Sequence, residues 1–189
     1  MTWKTITIGL ALLTFTCFWT VAIYIYKLPG EKRRNKNWFL FLISFAFVSV
    51  TVEYIAADYL LKKFEFPDTV GFVTNIFGVA LLTSGLSIAI WARVTLGRFW
   101  SGSVAFIEGQ PIVKDGPYSN VRHPIYTGVI MMFWGSFLLE PFGFVLFIAS
   151  LGTIVLACKA RLEERLLERY MGDNYRKYKV DVKRSFIPG

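Results

Sequence analysis

IYTGVIMMFWGSFLLEPFGFVLFIASLGTIVLAC, residues 125–158, carries one charged side chain, Glu140. A helix needs about 20 apolar residues to cross the hydrocarbon core of a bilayer. This stretch holds two apolar runs, divided at Glu140 and Pro141. Proline has no backbone N–H to donate and its ring collides with the preceding turn, so a helix entering at residue 125 ends there. The pattern predicts a tight helical hairpin of two short spans, 125–139 and 142–158, with little tilt.

Three more apolar runs precede the hairpin, at 6–26, 38–61 and 70–92. Hydrophobic residues make up 54% of the 189-residue chain and charged residues 18%. A soluble domain of this length carries more charge. The expected fold is an all-α integral membrane protein of about five transmembrane helices in a single domain, 1–189. The first run is too long for a signal-peptide core and no small-residue cleavage site follows it, so it reads as a retained helix. Trp3, Trp19, Trp38 and Trp91 lie near span ends, as an interfacial belt would.

The net charge of +8 does not point to nucleic acid, because the basic residues sit between and after the apolar runs. That placement suits topology and contact with anionic headgroups. Of the 21 lysines and arginines, 18 fall on one alternate set of connections and three on the other. The richer side marks the cytoplasm, so the N-terminus is expected outside and the C-terminus inside, in a prokaryotic plasma membrane. Cys17 and Cys158 lie within apolar runs and act as small hydrophobes. One histidine, His123, cannot make a multi-histidine metal centre. No metal and no nucleic acid are expected; the partners are membrane lipids and a lipophilic small molecule, and oligomeric state stays open. Glu53 and Asp58, in or beside the second span, are more simply helix-bonding and water-reaching groups than catalytic ones.

Two polar stretches, 96–128 and 159–188, fall on the expected cytoplasmic side. The first contains Gly97, Gly102, Gly109, Pro111, Gly116 and Pro117, which preclude a long helix. Its Trp100, Phe106, Ile112, Val113, Tyr118 and Val121 nevertheless require burial. Gly116-Pro117-Tyr118 is a turn signal. Pro124 suits a first helical position, where its missing donor costs nothing. Arg122 and His123 then stand at a helix N-terminus, either attracting an anion or merely flanking the membrane. The second stretch continues the fifth span as a helix, with Leu162, Leu166 and Tyr170 as an apolar stripe and Gly172 as its C-cap. Arg161, Glu164, Arg165 and Glu168 share another face, which by itself also suits a solvated, ion-paired helix.

Three motifs run through these stretches in order: LG-x-x-W at 96–100, GPY-x-x-VRHP-x-Y-x-G at 116–128, and EE-x-x-L leading to G-x-x-Y-x-x-Y at 163–178, with IP at 187–188. Together they resemble the isoprenylcysteine carboxyl methyltransferase family, within the wider group that holds phospholipid methyltransferases. The resemblance covers roughly the last hundred residues. It implies a methyltransferase whose S-adenosyl-L-methionine lies in a cytoplasmic pocket built from the helix 3–4 connection and the C-terminal helix. It further implies that Gln110, Ile112, Val113, Tyr118, His123, Pro124 and Tyr126 contact the cofactor. Glu163 and Glu164 would hold its ammonium or ribose hydroxyls, and Arg122 and Arg161 a carboxylate, with Arg122, Arg161 and Glu164 as the catalytic set. Gln110 stands where many relatives have histidine. Lys159 stands where an arginine is common, and either Arg161 takes that role or Lys159 does so less rigidly, because an ammonium lacks the planar fork.

Methyl transfer from a sulfonium is an in-line displacement that needs near-attack geometry and exclusion of water. A carboxylate acceptor, such as that of a prenylated cysteine, is already ionised at neutral pH and leads the expectations. A lipid phenol, thiol or amine needs a base, for which Glu164 or His123 is the candidate. Two rivals remain. A sterol-type NADPH-dependent reductase shares RHP-x-Y but uses other residues where this chain has Glu163 and Glu164. A non-enzymatic membrane subunit would need no convergent polar site.

Overall fold

The computed structural model describes residues 2–26, 67–100 and 111–186. The second expected span, 38–61, and with it Trp38, Glu53 and Asp58, lies outside the described residues, as do Gln110 and the terminal Ile187 and Pro188. Among the described residues all regular structure is helical: α1 Trp3–Ile25, α2 Asp68–Leu96, α3 Pro124–Leu139, α4 Gly143–Met171 and α5 Asp173–Asp181, with 3-10 turns at Gly97–Phe99 and Gly116–Ser119. Three stretches, Trp3–Ala22, Val70–Phe99 and Gly143–Met171, are long and apolar enough to cross a membrane. α3 has 16 residues, so it rises about 24 Å against a hydrocarbon core of about 30 Å.

The hairpin forms where Pro141 requires it: α3 ends at Leu139 and α4 begins at Gly143. The Thr2 hydroxyl donates to Glu140 Oε1 at 3.0 Å, which places the start of α1 at the hairpin tip. At the other end, Arg93 near the close of α2 reaches the Ala22 carbonyl near the close of α1 at 3.4 Å. α1 and α2 therefore run side by side in the same direction, and α3 runs back against α2.

The α2–α3 seam is made by glycines seven residues apart on each helix. A Cβ at Gly85 would stand 2.5 Å from the Gly128 carbonyl oxygen, and one at Gly135 would stand 2.7 Å from the Leu82 nitrogen. Apolar side chains gain little by leaving lipid for another helix, so close backbone approach and dispersion hold such pairs together. Ile8, Ala11, Leu82, Met132 and Leu139 fill the core toward the tip. Trp19, Ala89, Ala92, Tyr118 and Ile125 fill it toward the other end. Trp19 is thus a core residue, only 2% exposed and stacked on Phe15, and not part of an interfacial belt. It is a full turn and more inside α1, where the nearest surface is another helix. The outward faces of α2 and α4, with Phe72, Phe77, Phe147 and Ile154, remain exposed and apolar, as lipid contact requires.

Beyond the bilayer-length apolar part, α4 continues unbroken to Met171, and Gly172 ends it at φ 54°, its N–H on the Glu168 carbonyl. The chain reverses there and α5 folds back, burying Tyr175, Tyr178 and Val182.

Candidate active site

The expected apolar stripe of the α4 extension is displaced. Leu162 and Tyr170 are exposed, and the inward face carries Ala160, Glu163, Glu164, Leu167 and Met171. Carboxylates face inward because polar groups await them across the gap.

Those groups come from the connection between α2 and α3. Gly97, at φ 53°, closes α2, and Gly116, at φ 56°, opens the 3-10 turn that buries Pro117 and Tyr118. The Tyr178 hydroxyl on α5 donates to the Tyr118 carbonyl at 2.8 Å. Burial pushes the Tyr178 phenol up to about 12 and raises those of Tyr118 and Tyr175 as well. All three are neutral hydroxyls at physiological pH.

Pro124 takes the first position of α3. Immediately before it, the Arg122 and His123 amides donate to the Arg184 and Ser185 carbonyls, each at 3.0 Å. The Thr127 hydroxyl donates to the Phe186 carbonyl. Residues 182–186 thus lie as a strap along the entry to α3.

Glu164 is the clasp of that strap. Its Oε1 accepts from Arg122 Nε at 2.9 Å, from His123 Nε2 at 3.1 Å and from the Ser185 hydroxyl at 3.2 Å, and its Oε2 lies 3.2 Å from Lys179 Nζ. Arg122 Nη1 adds a 2.6 Å bond to the Val182 carbonyl. Lys179 also bonds Glu168 at 2.7 Å, which raises its pKa. The arginines on Glu164's own helix play no part in this network, because they point outward while the carboxylate turns in.

Glu163, about 100° further round the helix, faces a different space. Its Oε1 accepts from the Tyr126 hydroxyl at 2.6 Å and lies 3.8 Å from Lys159 Nζ, one helical turn earlier. Its Oε2 is 3.8 Å from His123 Nδ1. The Lys159 ammonium also sits 5.4 Å over the Tyr126 ring.

A cavity opens here. Leu96, Phe99, Trp100, Pro111, Ile112, Val113, Tyr118, Arg122, His123, Ile125, Tyr126, Glu163, Leu166, Leu167, Met171, Tyr175 and Tyr178 line it. Seven of the residues named from sequence meet in it: Ile112, Val113, Tyr118, Arg122, His123, Tyr126 and Glu163. Pro124 is buried behind the wall as the first residue of α3, and Glu164 is buried one layer back in the clasp. Arg161 is exposed and does not line the cavity. Lys159, four residues before Glu163, is the basic residue of that helix beside the site. Tyr175 and Tyr178 were legible as part of a motif but had no expected role. Leu96 and Leu167 stand in the quoted motifs and Leu166 in the apolar stripe, though none had an expected site role; Phe99 and Met171 gave no signal, because apolar residues at helix ends look alike in sequence.

Arg93 supports the wall from behind. It is 2% exposed, bonds the Gly97 carbonyl at 2.6 Å, and lies over the rings of Tyr26 and Trp100 at 5.0 and 4.7 Å. Among the described residues no group of three histidine, cysteine or acidic side chains gathers to hold a metal.

Comparison with known proteins bears on this arrangement. The family model for phospholipid methyltransferases matches residues 73–174. An uncharacterized protein of Bacillus subtilis, YpbQ, is 27% identical over 96 residues, 48% of this chain and 55% of that protein. Methanethiol S-methyltransferase 1 of Bradyrhizobium diazoefficiens is 45% identical over 65 residues, 34% of this chain and 22% of that protein. The matches thus span about half of the first relative and about a fifth of the second. Among solved structures, the eukaryotic intramembrane Ras methyltransferase, isoprenylcysteine carboxyl methyltransferase, superposes with a TM-score of 0.68 at 20% identity, covering all of this chain and 68% of that one. That likeness is one of fold.

Proposed function

The chain belongs to the phospholipid methyltransferase family, and from that membership we propose that it transfers a methyl group from S-adenosyl-L-methionine to a lipophilic acceptor. The single observation that carries this reading is that one cavity gathers His123 and Tyr126 at the entry to α3 and Glu163 on the α4 extension. Two stretches 40 residues apart in sequence become two walls of one site.

The side chains fit that cofactor. Tyr118 and Tyr126 line the cavity, and aromatic rings attract a cation such as a sulfonium. The Glu163 carboxylate suits an ammonium or ribose hydroxyls. Ile112, Val113, Leu166, Leu167 and Met171 give apolar walls for a base and for an alkyl acceptor. When bound, the cofactor supplies an electrophilic methyl carbon on sulfur. The protein's part is to orient the nucleophile, keep water out and stabilise the charges at the site. The acceptor classes that fit are the carboxylate of a prenylated cysteine and related lipid O-, N- or S-nucleophiles. We place the site at the cytoplasmic face on the basic-residue asymmetry, and the chain in a prokaryotic plasma membrane on its short, basic character.

Titration of detergent-purified protein with S-adenosylhomocysteine tests this by calorimetry. We expect saturable binding, about tenfold weaker in Tyr126→Phe, where Glu163 loses a charge-assisted partner. Arg161→Ala, at an exposed position off the cavity, should leave it within about twofold. Absence of binding by the wild type, or binding of NADPH in its place, would defeat the reading and favour the reductase.

A further inference from the structure

The LG-x-x-W motif at 96–100 carries no acid, base or nucleophile, yet Leu96, Phe99 and Trp100 all line the cavity. The backbone holds this turn weakly. Gly97–Phe99 is a single 3-10 turn, and the Trp100 N–H reaches the Gly97 carbonyl at 3.4 Å, long for such a bond. Arg93 meets both ends of the turn. Its Nη1 donates to the Gly97 carbonyl at 2.6 Å, and its guanidinium lies 4.7 Å over the Trp100 ring. The same side chain reaches α1, where Nη2 donates to the Ala22 carbonyl at 3.4 Å and the guanidinium lies 5.0 Å over the Tyr26 ring. Among the described residues α1 gives nothing to the cavity lining, but its Trp19 meets Trp100 edge-on at 5.8 Å.

Arg93 is 2% exposed, and among the described residues its Nε has no hydrogen-bond partner and its bonds go to backbone carbonyls, none to a carboxylate. A buried cation with an orphaned donor costs free energy. The fold offsets part of that cost. α1 and α2 run in the same direction, so two helix C-terminal ends, each about half a negative charge, meet at one guanidinium. A lysine would supply the charge as a point; the planar fork also bridges two carbonyls and covers a ring. Trp100 in turn packs in the cluster that holds Tyr118, Val113 and Tyr126, the cavity residues suited to the cofactor.

We propose that Arg93 is a positioning residue of the cofactor site: it acts through Trp100, fixing the turn at 96–100 against α1 so that the indole stands as a wall for the bound cofactor; this rests on the methyl-transfer reading above. Arg93 does not line the cavity and touches no ligand. α1 lies outside the residues that match the family model, 73–174, and through Arg93 it becomes part of the support of the site. The motif acquires its function in the same way. Gly97, at φ 53°, turns the chain so that its carbonyl meets the guanidinium, and Trp100 closes over the same group.

The test is a double-mutant cycle on S-adenosylhomocysteine affinity, by calorimetry on the full chain in detergent, at a temperature where circular dichroism finds every variant folded. Arg93→Met and Trp100→Ala should each weaken binding about tenfold. The double variant should be no weaker than Trp100→Ala within about twofold, because an arginine that acts through the indole has nothing left to hold. Arg93→Lys keeps the charge and should stay within about threefold of wild type. Gly85→Ala disturbs the α2–α3 seam away from the cavity, so it should lower the melting temperature and leave affinity within about twofold. Wild-type affinity in Arg93→Met overturns the proposal. So does a double variant about 100-fold weaker, the product of two independent losses, or a loss in Gly85→Ala equal to that in Arg93→Met, which makes the effect one of stability alone. Failure of the wild type to bind S-adenosylhomocysteine instead defeats the methyl-transfer reading itself.

Discussion

Replacing Glu164 with alanine should release the C-terminal strap from the entry to α3. The carboxylate holds Arg122, His123, Ser185 and Lys179 at 2.9–3.2 Å. The Arg122 and Glu164 side chains are only 9% and 12% exposed, so solvent screens this pair little. Removing one partner of a buried pair costs about 3–5 kcal/mol. Lys179 keeps Glu168 at 2.7 Å and Arg122 keeps the Val182 carbonyl at 2.6 Å, which favours the lower end. A loss of about 3 kcal/mol multiplies the strap's opening constant about 150-fold. Glu164→Gln keeps the shape and part of the bonding, so about 1.5 kcal/mol and about tenfold are expected. Hydrogen exchange reads this directly, because the Arg122 and His123 amides donate to the strap carbonyls of Arg184 and Ser185. Those two amides should lose protection in the order wild type, Gln, Ala, while amides of the α2–α3 seam do not change. Unchanged protection at residues 122 and 123, or an equal rise along all of α3, would refute the clasp.

Two further outcomes follow from the seam and the tyrosines. Gly85→Ala should destabilise the bundle by about 1–3 kcal/mol, because its Cβ would meet the Gly128 carbonyl at 2.5 Å and the Met132 nitrogen at 3.0 Å, backbone that cannot rotate away. Gly9→Ala, with nothing within 4 Å, should not, and thermal unfolding in detergent that falls equally in both would sink the close-packing account. The Tyr178 phenol, ordinarily at 10.0, is held near 12 by burial, so its contribution is intact below pH 10 and lost as pH climbs to 12. Tyr118 and Tyr175 shift the same way. Protection of the loop at 116–123 should therefore fall over that alkaline window, and less steeply in Tyr178→Phe; a pH-independent profile would count against the buried hydroxyl network.

The helices were legible because their cause is local. Apolar length gave α1, α2 and the α3–α4 hairpin to within a few residues, Pro141 gave the break, and Gly172 gave the end of α4. The site was legible by position and less so by role. Arg161 and Glu164 share a face in a helical projection, yet one is exposed and the other buried. A helix has no means of declaring which of its faces a neighbour will cover. The inward face of the α4 extension was misread for the same reason, since periodicity seeks leucines and this face carries carboxylates.

By itself the amino-acid order determined helices long and apolar enough to cross a membrane, and two polar stretches set between and after them, among the described residues. Hydrophobic length, proline and glycine act within a few residues of where they stand. Tertiary structure alone divided the work between two adjacent glutamates, turning Glu163 to the cavity and Glu164 to the strap, and decided for Lys159 over Arg161 beside the site. Those outcomes depend on partners far along the chain, 41 residues for Glu164 and His123. A side chain's charge acquires a role only when folding fixes the distance to the charges it meets.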